Sequence, residues 1–260
     1  MKMSSFRFIG FALAFILLGS PTQAAEDPKL QDLLKEGAQA LLEETDRRHN
    51  AFTDQTIRVK MAIEGGAADG TVIESTTTTK GRNQRAVRMH APSNLKGMGV
   101  VVKSRDEIYV RLPDSRKVRR VGSHAKRQTF MGTTWNFDDM SMIWLAPDFN
   151  AAVQEETPTH VVLKLTRKDG VDLQYKTVEA HVTREKLLVD RLLYFDNDGK
   201  HVKTQIRSNV KMNGDVPTYQ HVEMTDETTG TKTITTVLSE KLDTGVKDRM
   251  FGRRWLSRGP

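Results

Sequence analysis

Along most of the chain apolar and polar residues alternate one for one. In "TIRVKMAIE" (56–64), Ile57, Val59, Met61 and Ile63 share one face, while Arg58, Lys60 and Glu64 share the other. A period of two marks a strand with one buried face. The alternation recurs over 71–80, 84–90, 97–103, 107–112, 159–167, 171–183, 187–195, 201–212, 219–225 and 231–239. Between the runs stand "GGAADG", "KDG", "DNDG", "NGD" and "TTG", the chemistry of tight hairpins. Short breaks join antiparallel neighbours, so the pattern predicts about eleven antiparallel strands.

Two stretches switch to a helical period. In 26–49, Asp27 is placed to cap, Pro28 suits a first turn, and Leu30, Leu33, Leu34, Ala38, Leu41 and Leu42 form one stripe. In "FMGTTWNFDDMSMIWL" (130–145), Phe137, Met140, Ile143 and Trp144 recur at i, i+3, i+6 and i+7, and Asn136 can cap the turn. A sheet this wide curls or splits into two layers. A sandwich fills its interior with large side chains from both sheets. Here the inward positions are often Thr, Val and Met, and aromatics make up only 7% of residues. The expected fold is therefore mainly β, an incomplete, strongly curved antiparallel barrel whose open side the helices cover, leaving an apolar hollow. Trp135, Phe137, Met140, Ile143, Trp144, Leu33, Leu34 and Leu41 are the expected lid and cargo-contacting residues. The helical spacing of 137–144 by itself points to ordinary core packing ahead of a lid.

The first 24 residues stand apart from this pattern. A basic lead with Lys2 and Arg7, the apolar run "FIGFALAFILLG" and the small-residue end "SPTQAA" compose a secretory signal peptide, with cleavage expected near Ala24. A bilayer core needs roughly 20 apolar residues, more than this run holds. The chain has no cysteine, hence no disulfide and no lipidated Cys. Periplasmic export of a monomer without stable membrane insertion follows, with residues 25–260 as one domain.

Removing Lys2 and Arg7 lowers the net charge from +7 to +5. Much of the excess lies in 111–127, where Arg116, Lys117, Arg119 and Arg120 are the expected contacts to a partner or membrane surface. Inside a cytoplasm such a cluster would suggest nucleic acid. For an exported chain it suits an anionic membrane or an acidic protein patch, and a solvated strand pair explains it as simply.

Catalytic patterns are missing. There is no G-x-S-x-G elbow, and the seven histidines occur singly, without metal-ligand spacing. "FDNDGK" (195–200) opens like a calcium loop but lacks the later ligands, and "GMG" (97–99) precedes no helix that could cradle phosphate. Asp138 and Asp139 are adjacent, so on a helix they point about 100° apart and do not converge on one substrate bond. First-turn acids facing the positive helix end are the simpler reading. No catalytic residue, metal or cofactor is expected. An enzyme or metal protein would have to rely on the scattered His and Asp side chains.

"YVRLPDSRKVRRV" (109–121) followed by "FMGTTWNFDDM" (130–140) resembles the outer-membrane lipoprotein-sorting protein family, the LolA-like periplasmic carriers. Tyr109, Leu112, Pro113, Arg119, Arg120, Phe130, Gly132, Asp139 and Met140 hold the matching places, while Thr134 replaces an acid usual in that family. "LLYFDNDGKHVKT" (192–204) and the 219–239 hairpin extend the resemblance over most of the chain. It implies a half-barrel carrier that shields acyl chains of a lipoprotein or lipid in transit from the inner towards the outer membrane. The alternative it implies is an accessory subunit of an inner-membrane transporter with no lipid cargo of its own.

Overall fold

The computed structural model describes residues 25–113, 115 and 117–258; the expected signal peptide lies outside them. The helix expected over 26–49 forms as two, α1 (Leu30–Glu36) and α2 (Ala38–His49). Gly37 divides them at φ 119°, a backbone conformation that needs glycine. The leucine stripe still buries: Leu30, Leu41 and Leu42 are wholly inaccessible.

Six strands follow: β1 (Asp54–Glu64), β2 (Val72–Lys80), β3 (Gln84–Ala91), β4 (Gly99–Ser104), β5 (Glu107–Arg111) and β6 (Val118–Arg120). A connection holding α3 (Ser123–Lys126) and α4 (Phe137–Ser141) leads to seven more. These are β7 (Phe149–Glu156), β8 (His160–Arg167), β9 (Thr177–Thr183), β10 (Val189–Phe195), β11 (His201–Asn213), β12 (Val216–Asp226) and β13 (Lys232–Leu242). All thirteen make one antiparallel sheet in the order β6-β5-β4-β3-β2-β1-β13-β12-β11-β10-β9-β8-β7, not closed into a barrel.

The mainly β class and the open antiparallel architecture are as the alternation predicts. The strand count is thirteen where about eleven were expected, because β6 and β7 add to the runs. Both are edge strands: β6 is short, and β7 is exposed along most of its length. A strand that buries neither face shows no alternation to read. The run from 171 becomes a strand only at Thr177, although Leu173 and Tyr175 before it are fully buried.

The topology fixes where the remaining chain must go. β1 pairs with β13, so the two free edges, β6 and β7, are consecutive in the chain. Their connection, 121–148, therefore has to pass from one edge of the sheet to the other. It does so across the concave face. Arg85 of β3 donates to the Met140 carbonyl at 2.9 Å. Thr134 sits over one registered pair of β12 and β13, its N–H donating to Thr233 Oγ1 at 2.9 Å and its hydroxyl to the Met224 carbonyl at 3.1 Å.

Two apolar clusters lie on the concave side. One packs α1 and α2 against Phe149, Leu163, Tyr175 and Leu192; the other gathers Val59, Met61, Ile73, Met89 and Val100. Trp135 touches both. A third cluster occupies the opposite face, where the alternate residues Ala86 and Val101 meet Phe251 and Leu256 of the C-terminal segment, with α5 (Arg253–Arg258). β3 and β4 are thus buried on both faces. Gly99 makes this possible, since a Cβ there would lie 2.7 Å from Leu256 Cδ1 and 3.0 Å from the Val87 carbonyl.

Candidate functional site: a cavity under the connecting segment

The curled sheet, α2 and the connecting segment enclose a cavity of about 290 Å³. Val59, Met61, Val87 and Met89 face it from one half of the sheet, and Val189, Tyr194, Val222 and Val237 from the other. Residues so far apart in strand order share one hollow only because the sheet bends back on itself. α2 contributes Asp46 and His49.

Of the residues expected over the open side, Trp135, Met140 and Ile143 line this cavity, joined by Phe130 and Met142. Phe137 turns instead into an edge-on contact with Phe130, ring centroids 5.3 Å apart. α4 ends at Ser141, so the helical register that would align Ile143 and Trp144 with it stops short. Trp144 lies under the Arg82 guanidinium, 4.6 Å from the ring centre. Leu33 and Leu34 pack half-buried against the cluster beneath the helices, and Leu41 is buried within it. On the basic edge, Lys117, Arg119 and Arg120 are exposed, while Arg116 lies outside the described residues.

The paired aspartates have separate roles. Asn136 and Asp139 form a reciprocal cap: the Asp139 N–H donates to Asn136 Oδ1, and the Asn136 N–H donates to Asp139 Oδ2, both at 2.9 Å. Asp139 also accepts from Tyr175 Oη at 2.6 Å and from Lys203 Nζ at 2.7 Å. These last two bonds pin the capped turn to the loop before β9 and to β11. This charge pair was hidden in the sequence, because its partners lie far along the chain. Asp138 is buried, and burial together with the Asp139 charge raises its pKa.

Polar side chains also reach the cavity. Arg85 stands on β3 in phase with Val87 and Met89, and Arg207 stands on β11 in phase with Lys203 and Gln205. For Arg85 the sequence holds a signal, a charge on the apolar phase of an alternating strand, but Arg207 stands on a phase that reads as polar. Burial pushes the Arg85 guanidinium down to about 10, with repulsion from Arg207 adding to the shift. Burial likewise pushes His49 down to about 3, helped by both arginines, so its imidazole is neutral at ordinary pH. Asp46 accepts the N–H groups of Leu145 and Ala146 at 2.8 and 2.7 Å, anchoring the end of the connecting segment to α2. Burial nevertheless outweighs these bonds and raises its pKa to about 6.

The cavity combines adaptable apolar walls with a few fixed polar groups. Among the described residues no three His, Asp or Glu side chains gather as a metal would need, and no helix is long and apolar enough to cross a membrane.

Known structures share this architecture. An outer membrane lipoprotein-sorting protein domain from Vibrio parahaemolyticus is 18% identical, with a TM-score of 0.77, and the match covers 86% of this chain and 99% of that one. A DUF1329 family protein from Desulfovibrio piger is 20% identical with the same TM-score and coverage. A LolA superfamily protein from Nitrosomonas europaea is 16% identical with a TM-score of 0.72, covering 84% of this chain and 99% of that one. The chain thus has the fold that its sequence resemblance implies. No curated protein sequence matches it. A family model described as "Uncharacterized protein" matches residues 81–258, and the chain belongs to that family.

Proposed function

We propose that this protein is a periplasmic carrier that holds acyl chains of a lipoprotein or lipid in its cavity during transfer from the inner towards the outer membrane. The observation that carries this reading is the cavity itself, walled by valine and methionine and crossed by a segment that spans the two free edges of the sheet. The task is demanding: exposing a chain of about 14 methylenes to water costs about 11 kcal/mol at ~0.8 kcal/mol each. A carrier must offset most of that cost and still release its load. Methionine walls that repack around different chains, and a connecting segment held at discrete anchor points, suit reversible loading. No covalent chemistry is required of the protein. Native mass spectrometry of protein purified from its own periplasm, followed by lipid extraction, tests the proposal. A co-purifying lipid or acylated polypeptide supports it; protein that is empty and also fails to take up a fluorescent acyl probe refutes it.

The exposed basic edge supports a second reading, an accessory subunit docking an inner-membrane transporter through Arg116, Lys117, Arg119 and Arg120. Reversing the charges of Arg119 and Arg120 then abolishes partner capture while leaving lipid content unchanged.

A further inference from the structure

The carrier reading leaves the polar part of the cavity wall unexplained. Arg85 and Arg207 sit on strands separated in the sheet by β2, β1, β13 and β12, and the curl brings both to the same hollow. Neither forms an ion pair among the described residues. Arg85 donates one Nη1 bond to the Met140 carbonyl, and its Nε is buried without a partner. Arg207 directs Nε and Nη2 at a single acceptor, Gln205 Oε1, at 3.0 and 2.8 Å. Three more buried polar atoms on this wall have no partner: His49 Nδ1, Trp135 Nε1 and Thr235 Oγ1.

The cavity's own acids do not answer this need. Asp46 is engaged by two backbone N–H groups, and Asp139 by Tyr175, Lys203 and the Asn136 N–H. Among the described residues neither guanidinium thus has a carboxylate in salt-bridge contact; Arg207 has only the longer-range attraction of Asp46 and the Tyr219 ring 5.9 Å away, an arrangement that is costly unless something completes it. A wholly hydrocarbon cargo would not complete it. Guanidinium presents planar forked donors that match carboxylate and phosphate oxygens.

We infer that the cavity takes an anionic amphiphile, its carboxylate or phosphate head seated between Arg85 and Arg207 and its hydrocarbon tail against the valine and methionine walls. This rests on the carrier reading and narrows it to a class of cargo. Trp135 Nε1 and Thr235 Oγ1 supply further donors for the head. Neutral His49 can donate from Nδ1 or Nε2, depending on its tautomer.

The test is competition against a fluorescent acyl probe on the full mature chain, using dodecanoate, dodecyl phosphate, dodecanol and inorganic phosphate. Dodecanoate or dodecyl phosphate is expected to bind at least about tenfold more tightly than dodecanol, as charge-assisted hydrogen bonds allow. In Arg85→Gln and Arg207→Gln, checked for native near-ultraviolet circular dichroism, that ratio is expected to fall about threefold each, and in the double variant to approach one. The wild-type comparison alone decides the matter if a variant fails to fold. Dodecanol binding as tightly as both anions overturns the inference while leaving the carrier reading intact. Displacement of the probe by inorganic phosphate as effectively as by dodecyl phosphate overturns it in favour of a simple anion site. Failure of the wild-type chain to bind the probe or any amphiphile removes the carrier reading, and the inference with it. A preference for carboxylate over phosphate, or the reverse, supports the inference and identifies the head group.

Discussion

Lys203 Nζ lies 2.7 Å from Asp139 Oδ2, with both side chains almost wholly removed from solvent. The bond ties the connecting segment to the start of β11, at its third residue. Removing one member of such a buried pair leaves the other charge stranded. Lys203→Met is therefore expected to cost about 3–5 kcal/mol in urea unfolding. Asp139→Leu/Lys203→Met together should cost less than the sum of the two single changes, because neither charge is then left alone. Additive losses would show that the two side chains act independently.

Trp135 bridges both concave clusters and borders the cavity. Truncating a Trp in a tight core costs about 3–5 kcal/mol. With one side facing a hollow, Trp135→Ala should cost less than about 3 kcal/mol. Its effect should appear instead in uptake of an acyl probe, weakened at least about fivefold through the loss of wall area. Unchanged uptake with a large stability loss would return this residue to ordinary core.

On the opposite face, Gly99 admits Leu256. Gly99→Val should destabilise the protein by about 1–3 kcal/mol through overpacking. In Leu256→Ala the same substitution should cost less, since the side chain it collides with is gone. A double-mutant cycle with no coupling would contradict the contact.

One turn apart on α2, Asp46 and His49 should titrate with opposite consequences. The Asp46 pKa is raised from 3.8 to about 6, so the folded state binds its proton more tightly than the unfolded state does. Its stabilising effect is present in acid and is lost as pH rises from about 4 through 6, a change on the order of 3 kcal/mol. His49 is depressed from 6.5 to about 3, so the unfolded state binds its proton first and stability falls as pH drops below 6.5. Asp46→Asn should accordingly be more harmful at pH 4 than at pH 7, and His49→Gln should reduce acid sensitivity. Unfolding curves across pH 4–7 for each variant check both signs.

Much of the fold was legible because a half-buried strand writes its periodicity into the sequence. Val59, Met61 and Ile63 show this on β1, as do Val178, Ala180 and Val182 on β9. β7 escaped because its outer residues are solvated on both faces, and Gly37 broke a helix that its leucines alone would have continued. The site was legible only in part. Trp135, Met140 and Ile143 come from one contiguous segment, whose composition set it apart. Arg85 and Arg207 are far apart in sequence and lie on strands joined only by the curl of the sheet. Local spacing carries no trace of such a meeting. Arg85 alone carried a visible sign, charge in phase with Val87 and Met89, whereas Arg207 shares its phase with the polar Lys203 and Gln205 and reads as an outward residue.

The pairing of β1 with β13 has a consequence for how the chain becomes a protein. Gln55 is registered against Leu242, so the first strand waits for the last before its outer hydrogen bonds are made. Contacts this distant in sequence slow folding, and an unpaired strand edge invites other chains meanwhile. A chain delivered from its N-terminus holds β1 open until nearly all of it has arrived. A copy stopped before β13 would keep both meanders yet leave two raw edges at what should be the centre of the sheet. Such a copy is a template for aggregation, whereas the finished molecule exposes only the edges of β6 and β7.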